Sequence, residues 1–182
     1  MKVVIRKNTF ETNSSSVHTI CIAKEPVNNF QGSKIFFELD DFGWEFASVN
    51  KADYLYTAIM TSCKTEEYLD KLKAILDKNN ITYGFMKPKY YDNEHKWIEN
   101  GGIDHSVELE DFLEAIMNDE DMLLRFLFND DSAVYTGNDN SDGYWRYETA
   151  FQGFEYAYTD DDKRIDNPYH NEDKFDYYVK GN

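Results

Sequence analysis

The residues best suited to chemistry lie in one polar loop in the second half of the chain. Asn138, Asn140, Asp142 and Gly143 follow the order of oxygen ligands and glycine in a helix–loop–helix calcium site. Such a site needs a bidentate glutamate at its twelfth position, where this chain has Thr149. We therefore expect no bound metal in this loop.

Nucleophiles and metal-binding side chains elsewhere lack the spacing that catalysis requires. The four histidines are not spaced as metal ligands near one another or near the two cysteines. Cys21 lies in an apolar run, which is typical of a buried strand residue. Residues 14–16 are three serines without the glycines of a nucleophile elbow. We therefore expect no catalytic residues, no cofactor and no enzyme activity. A metal-dependent phage enzyme built from the many carboxylates is the alternative.

Residues 9–16 are rich in hydroxyl and amide side chains, which favour turns and caps. The simpler interpretation is a connection between two strands, at residues 2–6 and 18–23. The alternative is a binding loop, since Arg6 and Lys7 stand beside the three serines. Phosphate-loop glycines are absent, so this second interpretation has weaker support.

The elements that must position these residues follow from hydrophobic periodicity. Helical spacing over residues 51–80 predicts two helices, with Thr65 as the N-cap of the second. Two further helices are predicted at residues 106–116 and 119–127. Strands are predicted at residues 34–39, 44–49, 81–86 and 133–136, with a hairpin of residues 144–150 and 154–158 and an edge strand near the end. We expect one α+β domain over residues 1–182, a mostly antiparallel sheet with about four helices.

Residues 87–102 contain three lysines, Lys87, Lys89 and Lys96, with aromatic residues Tyr90, Tyr91 and Trp97 interleaved. Aromatic rings among lysines can stack on bases and contact phosphates. The simpler interpretation is a surface loop whose aromatic residues pack inward, because acidic residues in the same segment cancel its charge.

Charge divides the chain into two unequal halves. Residues 101–182 hold 21 acidic against 6 basic residues, a net of −15, and residues 1–100 hold 14 against 13, a net of −1. Carboxylates on this scale favour fast, salt-sensitive association with a basic partner. The alternative is that they only provide solubility. The residues that we expect to bind the partner are Asp130, Asp131, Asp139, Asp142, Asp160, Asp161 and Asp162, with Tyr144 and Trp145 as apolar anchors.

Three segments resemble a group of small proteins from Firmicutes and their phages. They are residues 6–18 (RKNTFETNSSSVH), 127–140 (LFNDDSAVYTGNDN) and 179–182 (VKGN). One branch of that group is similar in length and acidity to this chain. It is a type II-A anti-CRISPR, an inhibitor of the RNA-guided CRISPR nuclease.

The resemblance implies binding to the guide-RNA-loaded type II nuclease and a block on target DNA binding or cleavage. It also implies that the chain could contact double-stranded DNA, for which Lys2, Arg6 and Lys7 are the candidates. No catalytic residues carry over from the group. An acidic regulatory or assembly protein with another basic partner is the remaining alternative.

The location expected from the sequence is the cytoplasm of a bacterial host cell. The apolar run at the start is too short for a signal peptide, and no segment approaches a membrane span. Two distant cysteines indicate reduced thiols rather than a disulfide framework. Oligomeric state is left open.

Overall fold

Four helices and twelve strands make up the part of the chain that the computed structural model describes, residues 16–43, 47–92, 97–99, 101–103, 109–138, 156–158, 164–166 and 173–180. The elements in chain order are β1 (Ser16–Ala23), β2 (Lys34–Phe37), β3 (Asp41–Phe42), β4 (Ala47–Val49), α1 (Lys51–Thr61), α2 (Thr65–Lys78), β5 (Thr82–Phe85), β6 (Tyr90–Asp92), β7 (Trp97–Ile98), β8 (Gly102–Ile103), α3 (Glu110–Asn118), α4 (Glu120–Phe128), β9 (Ala133–Asn138), β10 (Tyr156–Tyr158), β11 (Arg164–Asp166) and β12 (Phe175–Lys180).

The main sheet has four antiparallel strands in the order β12-β1-β9-β4. β1 is central, and every residue from His18 to Ala23 is buried. β12 was predicted as an edge strand from its aromatic pattern, and it does form the edge beside β1. The sequence predicted a hairpin partner for β1 in residues 2–6, which lie outside the described residues. In the structure, β1 pairs with β12 on one side and β9 on the other.

The helices begin where side chains can cap them. Asn50 caps α1 by accepting hydrogen bonds from the backbone N–H groups of Ala52 and Asp53, at 2.9 and 3.3 Å. Asp119 caps α4 by accepting from Met122 N–H at 3.0 Å. The predicted cap of α2 is wrong. Thr65 is the first helical residue, and its hydroxyl donates backward to the carbonyl groups of Ile59 and Ser62.

One hydrophobic core joins the helices to the main sheet. Leu72 and Leu76 of α2 are fully buried, as their spacing predicted. The ring of Phe112 on α3 packs edge-on against Phe126 of α4 and Tyr178 of β12, with centroids 5.5 and 5.6 Å apart. These contacts attach the helices to the edge of the sheet.

The α+β class, the four helices and the mostly antiparallel sheet are confirmed. The structure adds two short parallel pairs, β2–β5 and β3–β8, which the sequence did not predict. Parallel strands need a long crossover connection, and α1 and α2 supply it between β2 and β5. β10 pairs with β11, whereas its predicted partner, residues 144–150, lies outside the described residues.

No helix among the described residues combines the length and the apolar character needed to cross a membrane.

Candidate partner-binding surface

Asp130 and Asp131 are the only predicted partner-binding residues that the structure describes, and both are exposed. They form the turn between α4 and β9. The other predicted residues lie outside the described residues, so the structure does not place them. These are Asp139, Asp142, Tyr144, Trp145, Asp160, Asp161 and Asp162, together with Lys2, Arg6 and Lys7 as candidates for DNA contact.

The turn that presents the two aspartates is held by its own hydrogen bonds. The side-chain oxygen of Asn129 accepts from Asp131 N–H at 2.9 Å, and its amide nitrogen donates to the carbonyl of Glu25 at 3.0 Å. Ser132 N–H donates to the carbonyl of Asn129 at 3.1 Å. This geometry fixes the backbone beneath Asp130 and Asp131 while their carboxylates face solvent.

The same turn is also bonded to a half-buried cation, the ammonium group of Lys51. The ammonium group of Lys51 donates to the carbonyl oxygen of Asn129 at 2.5 Å. Burial lowers the pKa of Lys51, and the carboxylates of Asp130 and Asp131 oppose that shift. The turn therefore holds two exposed negative charges close to one positive charge. A basic partner would meet a net negative charge smaller than that of the two carboxylates alone.

Three acidic residues on α3 and α4, Glu114, Glu120 and Asp121, have basic partners, two of them from the first half of the chain. Glu114 lies 3.6 Å from the ammonium of Lys64, and Glu120 lies 2.6 Å from that of Lys78. Hydrogen bonds from Lys78 and Asn79 lower the pKa of Glu120. The imbalance between the two halves of the sequence is thus partly cancelled in space, where α2 lies against α3 and α4.

A second acidic group lies in the near-neutral half and was missed from the sequence. Its members are Glu38 and Asp40, which follow β2, and Asp53 in the first turn of α1. Asp53 accepts a hydrogen bond from Glu38 N–H at 2.7 Å. Burial raises the pKa of Asp53, and the neighbouring Glu38 and Asp40 raise it further. The sequence did carry a signal for this group. Glu38 and Asp40 follow a predicted strand, and Asp53 comes soon after them in the first turn of a predicted helix.

His18, Tyr54 and Cys21 are buried, whereas the thiol of Cys63 is exposed and donates to the carboxylate of Glu110 at 3.1 Å. The Nδ1 atom of His18 lies 2.8 Å from the hydroxyl of Tyr54, and both side chains are 0% exposed. Burial raises the pKa of Tyr54 and raises that of Cys21 to about 12. His18, Cys21 and Tyr54 pack in the core and do not line a surface. Within the described ranges, no three His, Cys, Asp or Glu side chains are arranged to hold a metal ion.

Comparison with family models, with curated proteins and with solved structures finds no match to this chain.

Proposed function

We propose that this protein inhibits a guide-RNA-loaded type II CRISPR nuclease by binding it directly and blocking target DNA binding or cleavage. The observation that carries the proposal is the net charge of −15 over residues 101–182. The resemblance of residues 6–18, 127–140 and 179–182 to the group that includes a type II-A anti-CRISPR supports the choice of partner.

The physical basis is competition for a basic channel. RNA-guided nucleases hold duplexes in a positively charged channel and read a short flanking motif with arginines. Carboxylates held on a folded surface can occupy such a channel, because DNA binding there also depends on neutralised negative charge. Association should then be fast and sensitive to salt.

The described part of the surface supplies a first contact area. Asp130 and Asp131 are exposed on a rigid turn, and a rigid surface loses less entropy when it binds. Tyr144 and Trp145 are proposed as the apolar anchors, since such residues often dominate interface energies. The remaining proposed contacts are Asp139, Asp142 and the Asp160 to Asp162 run.

Two further parts of the proposal follow from the resemblance and the composition. The protein acts as an inhibitor without a reaction of its own, in the cytoplasm of the bacterial host cell. Lys2, Arg6 and Lys7 are proposed as the residues that would contact double-stranded DNA, since they cluster in the half of the chain that is close to neutral.

The deciding experiment measures DNA cleavage by guide-loaded type II nucleases with and without this protein, beside a gel shift for DNA binding. Loss of both cleavage and binding supports competition for the DNA channel. Loss of cleavage with binding retained supports a block on the later conformational step. No effect on any of several type II nucleases would overturn the proposal.

A further inference from the structure

The outward face of the β2–β5 pair carries an exposed aromatic ring. Phe36 is 55% exposed and Met86 is 40% exposed. Phe36 is in register with Gly84, and its ring atoms lie 2.8–2.9 Å from where a Cβ on that glycine would be. The ring therefore lies over Gly84. On the opposite face, Phe37 and Phe85 stack at 4.9 Å within the core.

An open face is unusual for parallel strands, which proteins normally cover on both sides. In the described residues, Lys34, Phe36 and Thr82 on this face are all exposed. Phenylalanine side chains are usually buried, and a ring that faces solvent on such a pair gains no stabilisation from burial. The face therefore has the character of a binding surface rather than of an ordinary exterior.

The exposed surface continues along the chain into β6. Tyr90 is 36% exposed and Tyr91 is 51% exposed. The hydroxyl of Tyr56 donates to the carbonyl of Met86 at 2.8 Å. Burial raises the pKa of Tyr56, and the neighbouring Tyr90 raises it further. β6 begins at Tyr90, four positions after Met86, so only a short chain segment separates the exposed tyrosines from the β2–β5 pair. The prediction that the aromatic residues of this segment pack inward is wrong for Tyr90 and Tyr91.

Acidic residues are absent from the two segments that form this surface. Neither residues 26–37 nor residues 78–91 contain an aspartate or a glutamate, in a chain with 35 of them. The fold joins the two segments through the β2–β5 pair. Lys34, Lys87 and Lys89 are exposed there. Acidic residues flank the two segments at Glu25, Glu38, Asp77 and Asp92, and the backbone of Glu99 bonds to that of Lys89.

We propose that this aromatic–lysine surface, formed by Lys34, Phe36, Lys87, Lys89, Tyr90 and Tyr91, binds single-stranded RNA. Bases stack on the aromatic rings, and phosphates contact the ammonium groups. The choice of RNA rests on the proposed function, because a guide-loaded nuclease presents RNA before any target DNA arrives. Duplexes hide the base faces that the rings need. The basic surface of the nuclease itself would be repelled by these lysines. The RNA of the complex is therefore the better ligand for this surface than the nuclease protein.

The test is fluorescence anisotropy of the full chain with a labelled uridine oligonucleotide of about 16 nucleotides, an upper site size for surfaces of this kind. Matched arms use a thymidine oligonucleotide and a duplex. With three lysines in contact, the logarithm of the affinity should fall with the logarithm of the salt concentration with a slope of about −2. We expect the uridine oligonucleotide to bind and the duplex to bind more weakly.

Variants connect that binding to the surface. Phe36→Ala and Tyr91→Ala should each weaken RNA binding about tenfold. Phe36→Leu, which keeps apolar area and loses the ring, should weaken it as well. The double variant Lys87→Gln/Lys89→Gln removes two of the three contacts and should reduce the steepness of the salt slope by about 1.4. Lys174→Gln is the control, since Lys174 is exposed and lies at the turn before β12.

Several results would overturn this assignment. They are no saturable RNA binding at low salt, equal loss with Lys174→Gln, binding of thymidine but not uridine, or RNA binding that the aromatic variants leave unchanged. The nuclease assay separates this inference from the proposed function. Inhibition without RNA binding overturns only the RNA surface, whereas RNA binding without inhibition supports the surface and overturns only the inhibitor proposal.

Discussion

Arg125 of α4 and Asp176 of β12 form an ion pair at 3.5 Å, across the end of the central strand. The same guanidinium donates to the carbonyl of Ala23 at 2.7 Å and to the carboxylate of Asp121 at 3.0 Å. Arg125 is 8% exposed. One buried cation therefore joins a helix to the ends of two strands.

Replacing Arg125 with methionine should destabilise the protein by about 2–4 kcal/mol. The change leaves the carbonyl of the buried Ala23 without this donor. It also removes one cation from Asp176, which is 32% exposed and still pairs with Lys24. The free energy of unfolding, measured by urea titration, checks this expectation.

Asp121→Ala is the matched control for that variant. It removes a partner of the same guanidinium, but Asp121 is 76% exposed. Solvent screens such a pair, so the loss should stay below about 1 kcal/mol. If both variants lower the free energy of unfolding equally, the contacts of Arg125 to Ala23 and Asp176 are not the source of the stability.

Cys21 should make the protein sensitive to alkali. Its pKa rises from 9.0 to about 12 in the folded state because burial disfavours the thiolate. Above pH 9 the unfolded chain releases this proton and the folded chain keeps it, so stability falls as pH rises. The free energy of unfolding should decrease by about 1.4 kcal/mol per pH unit between pH 9 and 12. Urea titrations at several pH values under reducing conditions measure it.

Cys21→Ala isolates that contribution from other groups that titrate at high pH. The variant should be less stable near neutral pH because a buried sulfur is lost. Between pH 9 and 10, however, its stability should fall less steeply than that of the parent protein. Parallel curves for the two proteins over this range would contradict the assignment to Cys21.

Local patterns in the sequence predicted the elements that bury one face. Leu72 and Leu76 of α2, and Phe112 and Ile116 of α3, follow helical spacing and are all buried. Such spacing reports only the residues of one element and the direction of the core. It therefore located helices and strands and did not show which strands pair. The parallel β2–β5 pairing depends on the crossover through α1 and α2.

Long-range electrostatics were hidden from the sequence for the same reason. Lys78 and Glu120 are 42 positions apart and belong to different charge halves, yet they form a contact of 2.6 Å. Summing charge along the chain assigned their charges to separate surfaces. The wrong prediction for Thr65 has a similar cause at shorter range. Its hydroxyl donates to carbonyl groups of the preceding turn, so it does not cap the helix.

Removing the charges of Asp130 and Asp131 should alter both Lys51 and the inhibitor activity. In Asp130→Asn/Asp131→Asn, the pKa of Lys51 should fall further. Burial lowers this pKa, and the two carboxylates that raise it are gone. NMR titration of the lysine signals measures this. Association with the nuclease should slow at low salt and converge with that of the parent protein at high salt.

The control for this double variant removes the same charge elsewhere. Glu66→Gln/Asp111→Asn neutralises two exposed acids on α2 and α3. Association with the nuclease should change less than in the Asp130/Asp131 variant. Equal slowing would mean that net charge, and not the α4–β9 turn, governs the encounter.

Charge reversal at Asp160, Asp161 and Asp162 is the most direct test of the acidic run that the sequence proposes as a contact. Replacing all three with lysine should weaken inhibition of DNA cleavage, because a basic partner would then meet three like charges. The melting temperature should stay near that of the parent protein, since aspartates rarely belong to a protein core and substitutions outside the core usually cost little stability. Inhibition curves against nuclease concentration, read beside thermal melts, give both quantities. Unchanged inhibition with an intact melt would remove this run from the binding surface and leave the Asp130–Asp131 turn as the acidic contact to pursue.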